Sequence, residues 1–426
     1  MLPRLLYNLL IIPILWLGFL GCFPFIRKVR QGMLGRIGWR KRLRKWAQAS
    51  PSGKPFWLFH VASVGELEAI RPVIDRIVKR GTQRIIVTVF SPSAHKAKPS
   101  LPGIDLLCYL PFDSIFNQRL LLKTIKPQLV VISKHDVWPN LLVAAHELKI
   151  PTALINANFH PNSLRIHPAF RFFHRWVFSE FSGIAAVSHQ HAERLTSLVG
   201  NGFPCQVLGD TRYDRVRERC HRHSPTISNK ANQFADRMVV VVGSSHPTEE
   251  QMLIPLVAEL IRPYPKLFII WVPHDPEPSI LVSLEQQLQT CSLLTRRWSE
   301  DWILDDITGM VVDQVGILAE LYSLGNIAIV GGGFDKGVHS VIEPAVFGLP
   351  VLFGPHYHVS QEANYLVEKG GGLVFQNREE LFEILRSLLE NPEKCRLIGE
   401  NAKSVIEQNL GASDRIVNFL DNLIND

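Results

Sequence analysis

At 426 residues the chain is too long for one ordinary domain, and 46% hydrophobic with 20% charged residues excludes a disordered or fibrous protein. The net charge of +7 is concentrated: Arg27, Lys28, Arg30, Arg36, Arg40, Lys41, Arg42, Arg44 and Lys45 crowd one segment just after an apolar run. That position points to an anionic membrane surface rather than to nucleic acid. The six cysteines, Cys22, Cys108, Cys205, Cys220, Cys291 and Cys395, are scattered with no CxxC pair, which excludes a disulfide framework and a cysteine-built zinc site.

Between Leu5 and Ile26 there is no charged residue, a length sufficient to span a bilayer as a helix. The positive charge follows the apolar run and no small-x-small site appears, so a cleaved signal fits poorly. Pro13 and Pro24 keep open a helix lying in the membrane interface. Either way, the basic cluster places the folded body on the cytoplasmic side.

After Pro51-Ser52-Gly53 a new pattern begins. Apolar runs at 57–61, 85–90, 129–132, 153–156, 184–187 and 206–208 read as buried strands. Helical patterns at 67–79, 140–148 and 188–199 lie between them. This alternation predicts α/β architecture with a doubly wound parallel sheet. Residues 214–237 are polar and aperiodic. A second round follows, with strands at 238–242, 267–272, 310–312, 327–330, 351–353 and 372–375 and a helix at 317–322. The predicted organisation is a membrane anchor over 1–30, an α/β domain over 31–215, a linker over 216–237, and a second α/β domain over 238–426. The last helix is free to pack back on the first domain, and two such domains are expected to form a cleft.

The chemistry-bearing stretches sit at predicted strand ends. Ser63-Val64-Gly65-Glu66 joins a strand to a helix. Glu66 is either a helix-dipole carboxylate or a general base at the carboxyl end of a parallel strand. As a base it would be weakened by the dipole unless burial or Glu68 offsets that. Lys134, His135 and Asp136 share one loop with Trp138-Pro139-Asn140, and Asn156 and Asn158 follow the next strand. Gly243-Ser244-Ser245-His246 is a strand-to-helix turn whose hydroxyls suit a phosphate or carboxylate, or simple N-capping. Pro273-His274-Asp275 ends another strand. Residues 331–343 open with Gly331, Gly332 and Gly333, and Ser340 is placed to cap a helix starting near Val341. Such a turn offers backbone N–H groups to an anion. It is neither a Walker A loop nor a dinucleotide fingerprint. Neither HxxxH nor Asp-x-Asp follows a strand, so no metal is expected.

Taken together, these motifs resemble the 3-deoxy-D-manno-oct-2-ulosonic acid (Kdo) transferases of lipopolysaccharide biosynthesis. The resemblance runs over most of the chain. It rests on residues 60–66, Tyr109-Leu110-Pro111-Phe112-Asp113, Val137-Trp138-Pro139-Asn140, Ile155-Asn156-Ala157-Asn158, Gly243-Ser244-Ser245-His246, residues 331–343 and Gly354-Pro355-His356 in order. Four positions depart from the common pattern: Lys134 stands for Glu, His274 for an arginine expected to meet the donor, Ile317 for Glu and Ser340 for Asn. They mark a divergent branch.

The resemblance implies a GT-B glycosyltransferase with two Rossmann-like domains. It would transfer Kdo from CMP-Kdo to the lipid A precursor lipid IVA, inverting and without metal or other cofactor. Glu66 would be the base. Pro273, His274, Val315, Gly316, Ile317, Ser340, Val341, Ile342 and Glu343 would bind CMP, with Glu343 on the ribose. Ser244, Ser245, Gly332 and Gly333 would hold phosphate or carboxylate, and Lys134, His135 and Asp136 would lie on the acceptor side. Partners would be CMP-Kdo, the lipid A precursor and membrane lipids, with no nucleic acid, at the cytoplasmic face of the inner membrane. The alternatives are another membrane-associated GT-B enzyme with a different nucleotide sugar, or a two-lobed binding protein without activity.

Overall fold

The computed structural model describes residues 2–50, 53–96, 102–134, 136–159, 163, 165, 167–200, 202–221, 227, 230–301 and 303–425. The chain divides into two compact units, Met1–Arg215 with Leu410–Asp426, and Val216–Asn409.

In the first unit, seven strands form one parallel sheet. They are β1 (Phe56–Val61), β2 (Arg84–Val89), β3 (Leu106–Tyr109), β4 (Leu129–Ser133), β5 (Thr152–Ala157), β6 (Gly183–Ala186) and β7 (Cys205–Val207). Their order is β3-β2-β1-β4-β5-β6-β7. Residues of β1 alternate between two cores, as strand geometry requires. Trp57, Phe59 and Val61 enter one with Ile70, Ile74 and Ile77, while Leu58 enters the other with Leu122, Leu142 and Phe178. The first core is completed from the far end of the chain. Helix Ala412–Asn425 supplies Ile416, Val417, Phe419 and Leu420, and pairs Asp414 with Arg76 at 2.8 Å and Asp421 with Arg80 at 2.6 Å. Those ion pairs are exposed, so the apolar burial dominates.

The second unit repeats the scheme with β8 (Met238–Ser245), β9 (Leu267–Pro273), β10 (Thr295–Arg297), β11 (Gly309–Val311), β12 (Ile327–Val330), β13 (Val351–Phe353) and β14 (Gly372–Val374). Their order is β10-β11-β9-β8-β12-β13-β14, again all parallel. Val240 and Val242 pack with helices Pro247–Ile261 and Arg378–Glu390, and Val239 and Val241 pack with Phe268 and Tyr322. The strands β3 and β10 escape the sequence reading. The first is four residues long, and the second is a polar edge strand, Thr-Arg-Arg, without an apolar signal.

The described residues of 216–237, read as a linker, include a helix end and core side chains. Helix Thr211–Cys220 runs into them, and Ile227 and Phe234 are buried in the second unit's core. The N-terminal segment Leu2–Cys22 is a helix long and apolar enough to cross a membrane, with a π-helical stretch at Tyr7–Ile11. One of its faces is fastened to the first unit. The buried Tyr7 hydroxyl donates to Asp113 at 2.8 Å, Asn8 and Asn140 exchange hydrogen bonds, and Trp16 packs on Phe112 at 4.3 Å. Leu5, Leu9, Ile14, Leu17 and Leu20 stay exposed.

Candidate active site

Both sheets reverse their winding beside the first strand of the unit, between β1 and β4 and between β8 and β12. Open α/β sheets bind ligands at the carboxyl ends of strands flanking such a reversal.

In the first unit, the chain leaves β1 and turns at Ser63 into helix Val64–Arg80. The Ser63 hydroxyl accepts the Glu66 N–H at 3.3 Å, and Glu66 Oε2 accepts the Ala62 N–H at 2.7 Å. The local pattern is therefore a near relative of the capping box. Glu66 is half-buried. Burial raises its pKa above the usual carboxylate range, the Ala62 hydrogen bond opposes this, and Asp136 raises it further. Burial thus offsets the helix start. Glu68 has another partner: it accepts from Arg215 at 2.8 Å.

Across the reversal, Lys134 follows β4 with a left-handed backbone, φ 60°. Asp136 accepts from the fully buried His60 of β1, Nε2 to Oδ2 at 3.0 Å, while His60 Nδ1 faces the Thr88 carbonyl and hydroxyl. Burial alone would raise the Asp136 pKa, but the His60 hydrogen bond and the charges of His60 and Arg36 outweigh it and leave it lowered. Asp136 is thus held as an anion, and its field helps keep Glu66 basic. Lys134 acts on Glu66 electrostatically, as does Arg165, whose own pKa burial lowers. A basic carboxylate therefore sits among two cations and a fixed anion. His135 lies outside the described residues. Asn156 does not reach this edge: it is buried with φ 53° and exchanges hydrogen bonds with Thr211, fixing the start of helix Thr211–Cys220.

In the second unit, Ser244 has φ 53° and the Ser245 hydroxyl donates to Glu250 at 2.6 Å. The glycine turn folds onto an internal carboxylate. Glu249 accepts from the backbone N–H of His246 at 3.2 Å and from those of Gly332 and Phe334. Burial nevertheless pushes its pKa up to about 7. A Cβ on Gly331 would lie 2.1 Å from the Ser244 carbonyl oxygen and 2.8 Å from Glu249 Oε2, so the close approach requires glycine. The expectation that the Gly332 amide and the Ser245 hydroxyl await an external anion is corrected to this extent: each already serves a buried glutamate. Gly333 remains in the turn, packed against Gly354.

The helix expected near Val341 is Ile342–Val346, five residues long, with Val341 at its N-cap position and no side-chain cap. Ser340 is exposed and does not cap it. Glu343 is buried beside an ion pair with Arg219; burial raises its pKa and Arg219 opposes the rise. Pro273 ends β9 and is buried, His274 beyond it is exposed, and Val315, Gly316 and Ile317 form the loop before helix Leu318–Leu321. His274 lies against His246 and His339, with ring centroids 4.9 and 4.4 Å away. His339 is pushed down to about 4 by burial and its two imidazole neighbours, and His246 is lowered by burial and by His274.

The family model described as 3-Deoxy-D-manno-octulosonic-acid transferase (kdotransferase) matches residues 37–215. Curated relatives extend the likeness over both units. A 3-deoxy-D-manno-octulosonic acid transferase of Chlamydophila psittaci is 28% identical over 86% of this chain and 84% of its own. That of Haemophilus influenzae is 26% identical over 85% of each chain. A probable mitochondrial 3-deoxy-D-manno-octulosonic acid transferase of Arabidopsis thaliana is 29% identical over 87% of this chain and 85% of its own. Over residues 37–215 the chain matches the Kdo transferase family model, and over both units it is similar to curated Kdo transferases.

Solved structures place the fold of the chain. UDP-GlcNAc 2-epimerase from Neisseria meningitidis superposes with TM-score 0.63 at 19% identity, covering 87% of this chain and all of the other. Acinetobacter baumannii MurG does so with TM-score 0.58 at 12% identity, over 86% and 99%. The fold is GT-B. Several motifs behind the resemblance have structural duties. Asp113 accepts the Asn140 N–H at 3.0 Å as well as the Tyr7 hydroxyl, and the Asn140 side chain returns a bond to the Asp113 carbonyl at 2.9 Å. Arg36 is also internal, donating to the Leu110 and Gly32 carbonyls at 2.8 Å and stacking against Phe90, Tyr109 and Phe112. The sequence reading did not assign roles to His60, Arg165, Arg219, Glu249 or His339. Only His60, His339 and Glu249 stood near motifs; Arg219 comes from the polar stretch 214–237, and Arg165 from an aromatic-rich stretch that matches none of the motifs.

Proposed function

We propose that this protein transfers Kdo from CMP-Kdo to a lipid A precursor of the lipid IVA type, releasing CMP, by an inverting single displacement without metal or other cofactor. The family-model match and the curated relatives support the sugar. The observation that carries the mechanism is Glu66: a half-buried carboxylate of raised pKa at the carboxyl end of β1, beside Lys134, Asp136 and Arg165. In this reading Glu66 removes the proton from the acceptor hydroxyl as that oxygen attacks the anomeric carbon and CMP leaves. Lys134 and Arg165 meet a phosphate of the acceptor.

The donor falls to the second unit. Ser244, Gly333 and His274 lie towards its phosphate and the Kdo carboxylate. Pro273, Val315, Gly316, Ile317, Ser340, Val341 and Ile342 line the cytidine. Glu343 takes the ribose hydroxyls, for which Arg219 must yield its present bond.

Attachment to the inner membrane at its cytoplasmic face completes the reading. The helix Leu2–Cys22 exposes leucines along one side while Tyr7, Asn8 and Trp16 fasten the other side to the first unit. This favours an anchor lying in the interface over one that leaves the body to cross the bilayer. Arg27, Lys28, Arg30, Arg40, Lys41, Arg42, Arg44 and Lys45 are exposed to anionic headgroups, and Arg36 alone of the cluster is buried.

The test is mass analysis of the lipid product after incubation with CMP-Kdo. Addition of Kdo with equimolar CMP release is expected, and CMP but not UDP should compete. Protection by UDP, or no sugar added, would overturn the assignment of donor.

A further inference from the structure

Three histidines that lie far apart in sequence meet at the carboxyl ends of three adjacent strands. His246 follows β8, His274 follows β9, and His339 lies in the loop after β12, with β9, β8 and β12 side by side. One ring nitrogen of each lies within 4.8 Å of those of the other two. His246 and His339 face each other Nε2 to Nε2 at 2.8 Å, with ring planes 4° apart and centroids 5.1 Å apart. Those values describe two imidazoles end to end in one plane, sharing a single N–H···N bond. His274, inclined 20° and 16° to them, lies across the seam. The sequence reading dismissed metal because no short-spaced ligand motif occurs; the ligands come instead from three separate strand ends.

We propose that His246, His274 and His339 form a binding site for one borderline divalent transition-metal ion, with Zn(II) as its reference occupant. An all-imidazole donor set suits zinc, cobalt, nickel or copper and is poor for magnesium or calcium, which need oxygen ligands. A second feature supports the assignment. His246 Nδ1 stands 3.6 Å from Asp335 Oδ2, which leaves Nε2 for the metal. A carboxylate behind the ligating imidazole is the usual outer support of such sites. Binding requires modest adjustment. Zinc bound at about 2.0–2.1 Å to tetrahedrally disposed nitrogens sets them about 3.3 Å apart. The His246–His339 pair must therefore open and hinge, giving up its shared proton, and His274 must swing inward. His274 is exposed and the other two are only part-buried, so the moving rings meet little core packing; the His246 ring also accepts the Glu249 N–H at the start of helix Pro247–Ile261, a bond that limits its share of the movement. Three imidazoles leave a fourth position for water or an anionic oxygen. His274 also belongs to the proposed donor site; the inference concerns binding of the ion alone, and the proposed transfer is written without it.

The experiment uses the untagged full-length chain, stripped with chelator and titrated with Zn(II) against a chromogenic chelator, then with Co(II) for visible spectra. One zinc per chain is expected, and Co(II) should give the intense visible bands of a four-coordinate nitrogen site without the sulfur charge-transfer band of a cysteine ligand. His274→Ala, at an exposed position, should lower affinity at least about 100-fold with unchanged circular dichroism, and Asp335→Asn should lower it about 10- to 100-fold. Absence of stoichiometric binding overturns the proposal. So does a sulfur band, or an affinity that His274→Ala and His339→Ala leave unchanged.

Discussion

Glu66→Gln and Glu66→Ala together separate two duties of one carboxylate. Glutamine keeps an oxygen to accept the Ala62 N–H, now held at 2.7 Å by Oε2, so the helix start survives. Alanine removes that acceptor and should cost about 1 kcal/mol, or about 2–4 °C in the melting of a unit this size. Neither variant retains a base. Both should lose about 10²- to 10⁴-fold in kcat, corresponding to about 3–5 kcal/mol of transition-state stabilisation. The assay is CMP release with lipid acceptor, beside a thermal melt of the same preparation. The expected result is two equally slow enzymes of different stability. A Glu66→Gln enzyme with near-normal turnover would refute the base assignment, as would activity that tracks melting temperature alone. The pH profile adds a third readout. Burial and then Asp136 raise the Glu66 pKa, so activity should fall as pH drops through a value above the ordinary carboxylate range. Asp136→Asn removes one raising charge and should move that acid limb to lower pH; an unmoved limb would assign it to another group.

Gly331→Ala places a methyl 2.1 Å from the Ser244 carbonyl oxygen and should destabilise the second unit by about 1–3 kcal/mol or more, seen as a lowered melting transition. An unchanged melt would show that the turn is looser than described. Glu249 has a folded pKa of about 7 against 4.5, so the folded state holds the extra proton between those values. Stability should therefore fall as pH rises through that window, by up to about 3 kcal/mol, and Glu249→Gln should flatten the dependence in denaturant titrations at pH 5 and 8. Deleting residues 410–426 withdraws Ile416, Val417, Phe419 and Leu420 from the first core, each worth about 1.5–3 kcal/mol when buried; the truncated chain should be insoluble, and a soluble, active product would contradict the packing. Deleting residues 2–26 should release the chain from membranes in a flotation assay, unless the exposed basic face suffices for attachment.

The doubly wound pattern was legible because parallel strands buried on both faces read as continuous apolar runs, and β1, β4 and β12 appear within a residue or so of their positions. Where burial is one-sided or the strand sits at an edge, as in Thr295–Arg297, there is no run to read. The site was legible by residue type at strand ends and illegible by partner. Nothing local to Gly332 says that its amide meets Glu249, or that Asn156 turns inward to Thr211. Nor does spacing show that His246, His274 and His339 converge, because convergence follows from the order β9-β8-β12 and not from distance along the chain. Arg219 lies in a stretch read as a polar linker and Arg165 in one to which no role was given; only tertiary packing pairs the first with Glu343 and brings the second within electrostatic reach of Glu66.

Two readings of Glu66, helix-start carboxylate and the proposed catalytic base, were posed as rivals, and the geometry is compatible with both at once. Only Oε2 is committed to the Ala62 N–H, and a carboxylate has a second oxygen. The bond that fixes the helix start also fixes the orientation of the group, which is what a base acting on one hydroxyl requires. Its cost is a weaker base, since an N–H donor stabilises the anion. Burial and the Asp136 anion, itself pinned by His60, act in the opposite direction and outweigh it. Position and basicity are thus set by different neighbours. Losing His60 should therefore alter the pH profile through Asp136 while the Ser63 cap and the helix start remain intact.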